Sequence, residues 1–280
     1  MSASNEANTN ANNTAGRGEA WLAALSGNAP RLPGFPHSVQ VADIESSGRA
    51  ARLIAVVPDP ASPFPRARHG ETGLLEGWSL ARAVHDAIAA DRDAPVKRAI
   101  IAIVDTPSQA YGRREEAFGI HQALASAAAA YATARLQGHP VIALLVGKAM
   151  SGAFLAHGYQ ANRILALDDP GVQVHAMGKE AAARITLRSV EDLEAFAATV
   201  PPMAYDLHNY ATLGLLWRTI PVQDAGAPTA DDLGTVHRHL ADALADIDAD
   251  PHRDLRGRLQ GENRGATRRV RERLAAQWQD

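Results

Sequence analysis

Two stretches of this sequence bring small and polar residues to the point where an apolar run gives way to a helical one. Such a junction can hold negative charge. The first is Val104-Asp105-Thr106-Pro107-Ser108-Gln109-Ala110-Tyr111-Gly112, which leads into Arg113-Arg114-Glu115-Glu116-Ala117-Phe118-Gly119. The second is Val146-Gly147-Lys148-Ala149-Met150-Ser151-Gly152-Ala153-Phe154. Ligands of α/β folds collect beyond the carboxyl ends of strands, and unpaired amides at a helix start attract anions. Ser151, Gly152 and Ala153 leave the backbone approachable, so their N–H groups make a candidate oxyanion hole. Taken alone that signal is weak, because turns of this composition are more commonly packing features.

The elements that must position these turns follow from periodicity. Strand character is expected over Val39–Ile44, Arg52–Val57, Arg98–Val104, Val141–Val146, Arg163–Leu167 and Val172–Ala176. Helices are expected over Arg17–Gly27, Leu74–Asp91, Arg113–Gln137, Gly152–Ala161, Lys179–Ile185, Ser189–Ala198 and Tyr205–Leu216. Strands alternating with helices indicate an α/β domain with parallel character. Continuously apolar strands imply that both faces of the sheet are covered. Three segments are expected: a disordered polar leader over 1–15, a main domain over 16–226, and a helical C-terminal extension over 227–280. The extension contains a helix at Thr229–Ile247. From Pro251 onward it carries eight arginines against four acidic residues and is expected to end in a solvated helix.

Composition bounds the function. A net charge of -3 gives no global pull toward nucleic acid. The absence of cysteine removes disulfides, thiolate metal sites and a cysteine nucleophile. No run of roughly 18 apolar residues suggests a membrane span, and the leader has no apolar core for a signal peptide. A cytoplasmic protein with no membrane or nucleic-acid partner is expected, and no metal site.

Read together, the two turns resemble the carboxyltransferase branch of the crotonase superfamily. The shared positions are Asp105, Thr106, Pro107, Gly112, Glu116 and Gly119, then Pro140, Lys148, Ala149, Gly152 and Ala153. Ser108 and Ser151 depart from it, standing where acyl-CoA carboxylases usually carry glycine. Longer runs from D-T-P-S-Q-A-Y-G-R-R-E-E to G-K-A-M-S-G-A-F-L-A-H-G, A-L-D-D-P-G-V-Q-V-H-A-M-G-K-E-A-A-A-R and V-P-P-M-A-Y-D are similar to the gamma subunit of biotin-independent malonate decarboxylase. The resemblance spans roughly Gly16 to Ile220 and leaves out the leader and the residues beyond about 227.

The resemblance implies a crotonase-like (ClpP/crotonase) ββα superhelix and a carboxy-lyase that works only with a beta subunit. The pair would release carbon dioxide from a malonyl thioester on an acyl carrier protein with a dephospho-CoA-derived arm. Neither biotin nor a cofactor bound directly to this chain is implied. Decarboxylation leaves a thioester enolate, and fixed N–H donors lower the barrier by meeting its developing charge. On this basis Gly152 and Ala153 are expected as backbone donors, with Ser151 shaping their turn and Ser108 and Gln109 forming the opposite rim.

Each further candidate has a plainer role beside the chemical one. Lys148 would neutralise a carboxylate or simply be solvated. Tyr111 would donate a hydrogen bond near the first rim. His175 would protonate the enolate carbon, since histidine titrates near neutrality, or act as a structural or interface residue. Glu116 suits the helix dipole, His157 suits packing, and Asp168 and Asp169 suit a turn. The rival functions are a biotin-dependent carboxyltransferase subunit, a stand-alone enoyl-CoA hydratase or isomerase, and a non-catalytic scaffold.

Overall fold

The computed structural model describes residues 16–27 and 29–278; the expected leader, 1–15, lies outside the described residues. β1 (Val39–Ser46) and β2 (Arg49–Val56) form an antiparallel hairpin closed by Ser47 and Gly48, both at positive φ. Two such residues suit the right-handed twist of the flanking strands. β3 (Ala99–Thr106), β4 (Val141–Met150), β5 (Arg163–Leu167) and β7 (Arg218–Ile220) then add in parallel, in the order β1-β2-β3-β4-β5-β7. β6 (Gln173–His175) branches off and pairs with the end of β4. Ala99 to Val104 and Val141 to Val146 have no exposed surface, as strands covered on both faces require.

Helices enclose the sheet. α2 (Leu74–Ala90) and α4 (Ile120–Leu136) pack closely because Gly77 has no side chain; a Cβ there would lie 2.7 Å from the Ala123 carbonyl carbon. α1 (Arg17–Ser26) buries Trp21 and Leu22, and the Trp21 indole donates to Ala225 O at 2.9 Å. α9 (Ala230–Ala249) buries Val236, Leu240, Ala243 and Ile247 in the same cluster as the sheet. Its N-terminus is capped reciprocally by Thr229 and Asp232.

Four expectations differ from the structure. The long helix over Arg113–Gln137 is two, α3 (Arg113–Ala117) and α4, separated by Gly119 at φ 83°. β4 continues to Met150, past Val146, because β6 and Thr106 supply partners beyond the apolar run. The helix after it, α5 (Ser151–Ala156), is correspondingly short and precedes Gly158 at φ 109°. α8 (Leu207–Thr212) stops early, and the unexpected strand β7 follows. α6 (Lys179–Ile185) and α7 (Val190–Ala197) form a small helical pair with its own apolar cluster of Ala182, Ala183 and Leu193.

The arginine-rich tail is only partly a solvated helix. α10 (Gly265–Gln277) buries nothing. Before it, however, arginines bond main-chain carbonyls of the domain: Arg253 to Gly138 O, Arg258 to Tyr159 O and Ala161 O, and Arg264 to Leu213 O. These guanidiniums satisfy carbonyls at loop ends that have no strand partner.

Candidate active site

The site is built where β3 and β4 end side by side. Register between them shifts between Val104 and Thr106, and Asp105 occupies the irregularity. Its carboxylate turns across to β4, accepting from the Lys148 N–H at 3.0 Å and, on its other oxygen, from the Gly18 N–H at 3.4 Å. Gly147 makes room for this crossing, since a Cβ there would meet Asp105 Oδ1 at 2.0 Å. Asp105 therefore joins both turns and α1.

At the β4 end Ser151 holds φ 58°, the left-handed region that costs a residue with a Cβ roughly 1–2 kcal/mol. Its hydroxyl donates to Ala176 O, just after β6, which offsets that cost and fixes the turn. Glycine at this position would reach the same backbone without strain. Ser151, expected to shape the turn, stands at its left-handed corner.

The two turns meet through one hydrogen bond. The Gly152 N–H donates to Gln109 Oε1 at 2.9 Å. Gln109 is in turn held by backbone pairing of its loop with Thr72: Thr72 N–H donates to Ser108 O at 3.0 Å and Ala110 N–H donates to Thr72 O at 2.9 Å. The Gly152 amide, expected as an open donor, is thus occupied by a side chain of the same protein. Ala153 is completely buried.

Gln109, Ser151, Gly152 and His175 border one cavity of about 530 Å³, whose other walls include Phe154, Tyr159, Met203 and Tyr210. Few polar groups converge in a largely apolar space, the usual make-up of a small-molecule site. On the far side of Gln109 is a second cavity of about 470 Å³, bordered by Ser108, Tyr111, Arg66 and His69. Lys148 lines neither; it borders a third recess with Arg17, His69 and Asp105. The structure brings Gln109, Gly152, Ser151 and His175 together, sets Ser108 and Tyr111 one cavity away, and puts Lys148 elsewhere. The apolar walls were missed in the sequence, although the V-P-P-M-A-Y-D run that supplies Pro202 and Met203 is among the motifs that carry the resemblance.

His175 is stacked on Tyr205 at 3.9 Å and 15°. Its Nδ1 lies 3.2 Å from the Met177 N–H and 3.0 Å from Met177 O. Burial lowers its pKa, against the raising effect of the Met177 and Met203 carbonyls, and the ring borders the cavity. Glu116 is exposed on α3. His157 is fully buried, with Nδ1 2.9 Å from the Tyr131 hydroxyl and Nε2 3.0 Å from Ile103 O; with Nε2 protonated, both contacts are hydrogen bonds. Among the described residues no group of acids, histidines or cysteines has the arrangement of a metal site.

A family model described as malonate decarboxylase gamma subunit matches residues 67–278. The chain belongs to that family. The match takes in the arginine-rich tail, which the sequence motifs did not reach, because an amphipathic helix carries no turn signature comparable to those at Asp105 and Ser151. A chain in the solved hetero-tetramer of a Pseudomonas malonate decarboxylase with coenzyme A is 67% identical, at TM-score 0.90, over 94% of this chain and 100% of that one. The Malonomonas rubra malonyl-S-ACP:biotin-protein carboxyltransferase MADD is 41% identical over 154 residues. That alignment covers 54% of this chain and 53% of the relative, about half its length. Similarity to transcarboxylase 12S shows fold alone: TM-score 0.62 and 20% identity over 82% of this chain and 41% of that one. As in these family relatives and carboxyltransferases, the fold is α/β of crotonase type. No helix among the described residues is long and apolar enough to cross a membrane.

Proposed function

We propose that this malonate decarboxylase gamma subunit forms one half of a malonyl-thioester decarboxylase, completed by a beta subunit. The substrate is presented on an acyl carrier protein with a dephospho-CoA-derived arm, and the pair works in the cytoplasm without biotin. Carrier, arm and compartment rest on the family resemblance. The observation that carries the reading is the hydrogen bond from Gly152 to Gln109, both of which border one largely apolar cavity. It brings together the two turns that the resemblance identifies.

In the proposed reaction the bond between the malonyl carboxylate carbon and the methylene carbon breaks. Its electron pair passes into the thioester carbonyl as an enolate, carbon dioxide leaves, and a proton then adds to carbon. Ser151, Gly152 and Gln109 form this subunit's rim toward the charge. Ser108 and Tyr111 line the approach beyond Gln109. Apolar walls keep water from the enolate and strengthen each hydrogen bond made to it.

The chain should be produced with its beta subunit and assayed for carbon dioxide release from a malonyl thioester, with avidin added to remove biotin. Release unaffected by avidin supports decarboxylation. Activity that appears only with added biotin favours the carboxyltransferase alternative, for which the similarity to the Malonomonas protein is the specific observation. Assembly without turnover under either condition favours the scaffold.

A further inference from the structure

We propose that Gln109 itself carries the hydrogen-bond donor of this site, with the Gly152 amide acting as its positioning group. The proposal rests on the decarboxylase reading above and specifies how charge is met. A backbone N–H needs an acceptor, so the atom of the Gln109 carboxamide that faces Gly152 is its oxygen. The carboxamide is planar, so fixing the oxygen turns the NH2 group the other way. Among the described residues no acceptor meets Gln109 Nε2, and that nitrogen is not among the enclosed polar atoms left without partners. It is an open donor on a half-buried side chain that borders the cavities on both sides.

Two further features make this donor a fixed one. The loop bearing Gln109 is clamped to Thr72 by two backbone hydrogen bonds. The left-handed Ser151, tied to Ala176, sets the direction of the Gly152 N–H. Polarisation through Gly152 N–H···Oε1 also makes the Nε2 hydrogens better donors. The ligand class is an anionic oxygen on a small acyl group. Two sources share that chemistry, the malonyl carboxylate and the enolate oxygen of the thioester, and steady-state constants separate them.

The test uses the assembled beta–gamma complex with Gln109→Met, which keeps length and removes the donor, and Gln109→Glu, which keeps the acceptor for Gly152 and replaces NH2 by negative charge. Assembly is checked by size exclusion. Carbon dioxide release from the malonyl thioester should fall about 10²-fold in kcat/KM for Gln109→Met, in line with loss of one charge-stabilising donor, and at least as far for Gln109→Glu. A loss carried by KM assigns the donor to the carboxylate; a loss carried by kcat assigns it to the enolate oxygen. Gln109→Met turning over at the wild-type rate or faster overturns the proposal, since Gln109 would then only cover the Gly152 amide. If the wild-type pair itself releases no carbon dioxide, the decarboxylase reading fails separately. Calorimetric titration of malonate then decides the donor question: weaker binding to Gln109→Met supports it, and equal binding overturns it.

Discussion

Asp105 Oδ1 accepts a hydrogen bond from the Lys148 main chain at 3.0 Å while filling the volume that a side chain on Gly147 would need. The contribution of Lys148 to this contact is its amide, not its ammonium. The aspartate of the D-T-P run is thereby a brace between two strand ends.

Gly147→Ala should therefore destabilise the chain by about 2 kcal/mol or more, as overpacking of a tight contact does. Combining it with Asp105→Ala should cost less than the sum of the single changes, because one removes what the other collides with. Urea denaturation of the three variants checks this; strict additivity would show that the two residues do not compete for space.

Ser151 allows a finer comparison. Ser151→Ala keeps the left-handed backbone but loses the bond to Ala176 O, and should lower stability by about 1 kcal/mol. Ser151→Gly loses the same bond but relieves the backbone, so it should retain more stability and more activity than alanine. Alanine outperforming glycine in both would remove the strain argument.

Much of this arrangement was legible in the sequence. β3, β4 and β5 could be read from unbroken apolar runs, and α9 from the helical run expected over Thr229–Ile247. What was hidden was long-range. Gln109 and Gly152 are 43 residues apart, and nothing local to Gln109 says that its oxygen will meet an amide on the next strand's turn. The open donors expected at Gly152 and Ala153 followed from helix-end chemistry and the family resemblance, neither of which reveals a side chain arriving from elsewhere. β4 ran on because Thr106 and β6 came to pair with Ala149 and Met150, and those partners are set by the fold.

Acid should weaken the protein through His157. Burial lowers its pKa to about 4, against the raising effect of Ile103 O, from an ordinary value of 6.5. The unfolded chain takes up this proton before the native one does. The contribution is full above pH 6.5 and is lost as pH falls toward 4, amounting to roughly 3 kcal/mol in that window. Urea midpoints of wild type and His157→Gln measured between pH 7.5 and 5 should converge as pH falls. Parallel curves would mean that another group carries the acid sensitivity.

Arg258 bonds Tyr159 O at 2.8 Å and Ala161 O at 2.5 Å and lies 5.3 Å from the Tyr159 ring centre. Arg258→Met removes both bonds and should cost about 2–3 kcal/mol, as for hydrogen bonds from a charged group. Limited proteolysis should cut the variant within residues 251–264 faster than wild type; an unchanged cleavage rate would show that the guanidinium does not hold the tail.

Gly214 and Gly261 touch backbone to backbone, so that a methyl on Gly261 would come within 2.4 Å of the Gly214 nitrogen. Leu213, immediately before that contact, walls the same chamber as Gln109, and so does Tyr159 beneath Arg258. The carboxyl-terminal segment thus backs two walls of that cavity from outside, and deletions within it would loosen Leu213 and Tyr159 from behind.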